Sequence, residues 1–76
     1  MKDLKELALS YYRGADIVAQ RIAERRRRLK KLGKGSREAG ILRDELNVLY
    51  RERRDTLETA DLLWNYYGGD RHAQVH

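Results

Sequence analysis

The chain contains no cysteine, no proline and no phenylalanine, and only one methionine and one tryptophan. Lack of cysteine excludes a disulfide framework and thiolate metal sites, and makes a reducing, cytoplasmic setting the expectation. Lack of proline leaves nothing to break a helix from within. No apolar run approaches the roughly 18–20 residues a membrane span requires. With 38% charged residues and a mean hydropathy of −0.87, no membrane association is expected. The opening stretch, MKDLKELALSYYRG, has no unbroken apolar core and no small-residue cleavage site, so no secretory signal is expected. A chain of 76 residues allows one small domain. Domains of this size seldom bury enough apolar surface to be stable alone. With disulfides and thiolate zinc excluded, tight helix packing and oligomerisation are the remedies left.

What remains is rich in Leu, Arg, Glu, Lys and Ala, all good helix formers. Asp3 followed by Glu6 is an acidic version of the capping box and marks a helix start. Gly33 after Leu32 reads as the left-handed residue that ends that helix, and Ser36 reads as the cap of a second. The expected division is a helical hairpin over 1–67, with a helix at 3–32, a loop at 33–36 and a helix at 37–67. Gly68-Gly69 marks the second stop, and 68–76 reads as a flexible C-terminal tail. Helices of about 30 residues would each be roughly 45 Å long.

Within both helices the apolar spacing alternates four and three. The first seam is Leu4, Ala8, Tyr11, Ala15, Val18, Ile22, Arg25, Leu29 and Leu32. The second is Ala39, Leu42, Leu46, Leu49, Arg53, Thr56, Ala60, Leu63 and Tyr67. Such a period, sustained along both helices, predicts left-handed coiled-coil packing, here antiparallel. Folding the chain so that Leu32 meets Ala39 makes every seam residue meet another, with Leu29 opposite Leu42, Ile22 opposite Leu49, Ala8 opposite Leu63 and Leu4 opposite Tyr67. Arg25 and Arg53 interrupt the seam and must turn outward or meet a carboxylate, because a buried unpaired charge costs several kcal/mol. Glu45 lies near Arg25 in this register.

The flanks of the seam differ in character. On one, Arg21 falls beside Glu52 and Arg28 beside Glu45. On the other, Lys5 falls beside Trp64, Tyr12 beside Leu57 and Ala19 beside Tyr50. A two-helix hairpin cannot cover this second, apolar flank. Tyr12, Ala19, Tyr50, Leu57 and Trp64 are therefore the expected dimer interface, and two hairpins make a four-helix bundle. A monomer with a few exposed aromatics is the plainer alternative. Ile41, Val48 and Leu62 on the back of the second helix form a weaker line, broken by Asp55.

Charge is unevenly spread. Residues 21–37 hold nine basic side chains and one acid, Glu24, while 1–20 balance and 38–76 are net acidic. The loop end is therefore strongly basic. Arg25, Arg26, Arg27, Arg28, Lys30, Lys31, Lys34 and Arg37 are the candidates for contact with nucleic acid, through phosphates alone. No Asn, Gln or Ser between Gln20 and Ser36 is available to read base edges. Four consecutive arginines also wrap round a helix rather than forming one face, so a solvated helix end serves as the simpler reading.

Signs of catalysis are few. His72 and His76 are spaced as helical metal ligands could be, but sit in the tail with Asp70 as the sole nearby acid. Gly33-Lys34-Gly35-Ser36 lacks the glycine spacing and the preceding strand of a phosphate loop. Neither a metal nor a cofactor is expected, and no enzyme. The expected function is that of a small homodimeric interaction or scaffold protein, with sequence-independent nucleic-acid binding at the basic loop end as the alternative and a protein partner also open.

Overall fold

In a computed structural model, the backbone of residues 3–75 and the side chains of residues 3–66 are described. Two helices, α1 (Leu4–Lys31) and α2 (Arg37–Val75), pack against each other, and no strand occurs among the described residues. The fold is the expected all-helical hairpin.

Helix α1 begins where its cap predicts. The Glu6 N–H donates to Asp3 Oδ1 at 2.8 Å, and the Asp3 N–H donates back to Glu6 Oε1 at 3.3 Å. Each bond satisfies a donor that the helix geometry would otherwise leave open. At the far end Arg28, Lys30 and Lys31 place positive charge beside the last carbonyls, where the helix dipole favours it. Ser36 caps α2: its Oγ accepts from the Ala39 N–H at 3.1 Å.

The turn between the helices differs from the expectation. Gly33 does not adopt a positive φ, and no described glycine does. The chain instead leaves α1 through Leu32, which is extended at φ −97° and ψ 155°. A turn then closes with the Ser36 N–H donating to the Gly33 carbonyl at 3.1 Å. Arg43 reaches back to the Lys34 carbonyl at 3.4 Å. Because Gly33 has no positive φ, glycine is not required there, and a Cβ built on it meets nothing within 4 Å. Gly33→Ala should therefore shift the urea midpoint little, by the equivalent of about 0.5 kcal/mol or less, and Ser36→Ala should cost about 1 kcal/mol. Loss of well over 1 kcal/mol in Gly33→Ala would mean the turn is built otherwise.

The second difference is the end of α2, which runs to Val75 rather than stopping at Tyr67. Glycine within a helix costs roughly 1 kcal/mol relative to alanine, a penalty and not a barrier, and no proline follows to enforce a stop. The side chains of 67–76, including Tyr67, His72, His76 and the expected tail, lie outside the described residues.

Packing follows the seam. The buried residues among those described are Ala8, Ala15, Val18, Ile22, Ala39, Leu42, Leu46 and Ala60, and every one is a seam position. Val18, Ile22 and Leu46 form one buried cluster, with Leu29 and Leu49 packed against it. Half of the buried set is alanine, so the helices approach closely but bury little apolar area each. The core is thin.

Candidate functional site: the two flanks of the hairpin

Helical rotation sorts the basic run onto different sides. Arg25, on the seam, is 26% exposed and turns toward the flank of mixed charge that carries Arg28 and Glu45. There its Nε meets Glu45 at 3.2 Å and its Nη1 meets Glu24 at 3.4 Å. This answers the burial problem of a seam arginine with the nearest carboxylates. Arg28 shares a shallow hollow of about 220 Å³ with Arg25, Glu38 and Glu45. Glu45 is thus engaged by Arg25 rather than by Arg28. Nor does Arg21 close an ion pair with Glu52; both are exposed, where such a pair gains little.

Arg26, Arg27, Lys30 and Lys34 fall on the opposite flank. They rim two adjoining hollows of about 480 and 620 Å³ that share Arg26, Lys30 and Tyr50. The floor is apolar: Ala19, Ile22 and Ala23 in the first, Leu29, Leu32 and Leu46 in the second. Arg53 completes the rim of the first hollow and Arg43 that of the second. Six cations and no carboxylate therefore line one groove. None of the six forms an ion pair among the described residues. Lys31 and Arg37 are exposed and lie outside the groove. Sequence reasoning placed neither Arg43 nor Arg53 in the basic cluster. The signal was present, since the same register sets Arg43 beside Arg26.

The open end of this flank carries the aromatics. Lys5 Nζ lies 5.2 Å from the Trp64 ring centroid, as the register requires. Tyr12 is half-buried and reaches past Leu57 to donate its hydroxyl to Asp61, one helical turn further along. Ala19 and Leu57 are half-buried, while Tyr50 and Trp64 remain 44% and 39% exposed. The five expected interface residues thus include two aromatics that the hairpin itself leaves partly exposed. Ile41, Val48 and Leu62 are more exposed still, but they stand on α2 alone with Asp55 among them. The groove flank is built by both helices and is concave.

The Asp61 carboxylate that accepts the Tyr12 proton holds this phenol above its ordinary value near 10, with slight desolvation acting in the same direction. A raised folded-state pKa contributes stability that is fully present below the unfolded value and is lost as pH rises through the folded one. Phenolate absorbance in wild type should therefore include a component that titrates above the ordinary range, and that late component should vanish in Tyr12→Phe. An unchanged profile would mean the hydrogen bond does not persist in solution.

No three His, Cys, Asp or Glu side chains converge as a metal set among the described residues, and no described helix is long and apolar enough to cross a membrane. No family model matches this chain, and no curated protein or solved structure is significantly similar to it.

Proposed function

We propose that this chain is a cytoplasmic, non-enzymatic interaction protein that works as a homodimer, two hairpins closing into a four-helix bundle through the flank of Tyr12, Ala19, Tyr50, Leu57 and Trp64. The observation that carries this reading is that Tyr50 and Trp64 stay exposed on a flank whose hollow has an apolar floor of Ala19, Ile22 and Ala23, beside a core that is half alanine. A second copy supplies the missing apolar cover with no new component. The flank of mixed charge and the outer faces then remain free for a further partner. Trp64 is the sole tryptophan and lies on the proposed interface, so its emission reports association directly. Dilution from about 100 µM to 100 nM should shift the emission to the red as Trp64 returns to water. Emission that does not change across that range would remove the support for this interface.

One observation favours a second reading, sequence-independent nucleic-acid binding. The groove gathers six unneutralised cations around Tyr50, which could stack on a base while arginines hold phosphates. On this reading, log K for generic DNA or RNA falls linearly with log salt. Converting Arg26, Arg27 and Lys30 to Gln should flatten the slope by about three phosphates' worth, whereas Lys31→Gln, outside the groove, should change it little. Absence of retention at about 50 mM salt would dismiss this alternative.

A further inference from the structure

The two halves of the groove flank differ in charge, and this decides how two copies can meet. The loop half carries Arg26, Arg27, Lys30, Lys34 and Arg43 with no acid. Midway along the hairpin, Arg53 and the exposed Asp16 stand at the same level of the register. The open half carries Tyr12, Leu57 and Trp64, with Asp61 held against Tyr12 and Lys5 over the Trp64 ring. Resting on the homodimer reading, we infer that the copies pack with their loops at opposite ends, so that the basic groove of each receives the aromatic, acid-bearing open end of the other.

The alternative two-fold arrangement, with both loops at one end, faces these five cations with five more across a partly desolvated interface. Like charges so placed cost several kcal/mol, and salt at physiological strength screens them only beyond about 8 Å. Opposed loops remove that clash and give the arginines carboxylates and aromatic faces to meet. They also bring the basic and aromatic clusters together, although each hairpin holds them at opposite ends. The groove's occupant on this account is a second copy of the chain, not a nucleic acid.

The chain has no cysteine, so a single Gly35→Cys change gives one spin-label site in the exposed loop, outside the groove lining. Double electron–electron resonance on the labelled full chain then measures the loop-to-loop distance. Opposed loops should lie about 40 Å apart, close to the length of a 28-residue helix. Loops at one end should lie within about 20 Å, because neighbouring helices pack 8–10 Å apart. A distance near 40 Å supports the inference. A short distance overturns the orientation while leaving the dimer standing. No dipolar signal at about 100 µM overturns the dimer and the inference with it. Loss of the long distance on adding a short generic oligonucleotide would assign the groove to nucleic acid and overturn its occupancy by a second copy. An Arg26→Glu, Lys30→Glu, Arg43→Glu triple variant adds an independent readout: opposed loops predict association at least tenfold weaker, whereas loops at one end predict tighter association.

Discussion

Leu57→Arg should convert the protein from dimer to monomer at micromolar concentration. Leu57 is half-buried in the lone hairpin, midway between Tyr50 and Trp64 on the groove flank, and its remaining exposed surface is what a second copy would cover. An arginine there must either lose water on association or hold the two hairpins apart, and opposed loops bring it against the partner's basic groove. Desolvating an unpaired cation beside like charges costs several kcal/mol, and two-fold symmetry places the change in the interface twice. The expected weakening is on the order of a hundredfold or more. Because the bundle completes a core that is thin in one hairpin, helicity should fall together with dimerisation. A Leu57→Arg variant that stays dimeric would show that the groove flank is not the interface. Leu62→Arg serves as the comparison: Leu62 is 74% exposed on the back of α2, and the same charge there should leave association unchanged.

Leu46→Ala should produce the largest loss of folding stability from a single substitution. Leu46 is 5% exposed and belongs to the buried cluster with Val18 and Ile22, against which Leu29 and Leu49 pack. Truncating a buried leucine to alanine costs about 2–5 kcal/mol, the lost transfer energy plus that of the cavity left behind. Small domains hold only a few kcal/mol in reserve. Thermal melts followed by circular dichroism should show Leu46→Ala largely unfolded near 37 °C, with Leu62→Ala close to wild type. Equal melting temperatures for the two variants would mean that the seam described here is not the core.

The seam was legible because its chemistry repeats. Each apolar residue recurs at three or four positions, the register follows from the short loop, and every buried residue among those described falls where that register puts it. Asp3–Glu6 and Ser36 were legible for a different reason: caps are local, so their hydrogen bonds depend on spacing alone. The turn was not. Glycine permits a positive φ without requiring it, and Leu32 reached the same reversal through extended backbone. The end of α2 was misread for a related reason, since paired glycines weaken a helix without stopping it. Tyr12 was placed on its flank correctly, but a tyrosine is long enough to pass Leu57 and find Asp61.

The candidate site was legible only in part. Four arginines in a row state a charge but not a direction, and helical rotation sends Arg25 to Glu45 and Arg26 and Arg27 to the groove. Arg43 and Arg53 sit among acids in the sequence, so local charge counting hides them. They join the groove because α2 runs back alongside α1, an effect of the fold rather than of composition.

Association of two hairpins is the claim on which the other functional statements rest, and sedimentation equilibrium of the unmodified chain tests it most directly. At 10–100 µM and about 0.15 M salt, the account predicts a single species of twice the 9.0 kDa chain mass, dissociating on dilution. A mass of 9.0 kDa throughout that range would contradict it.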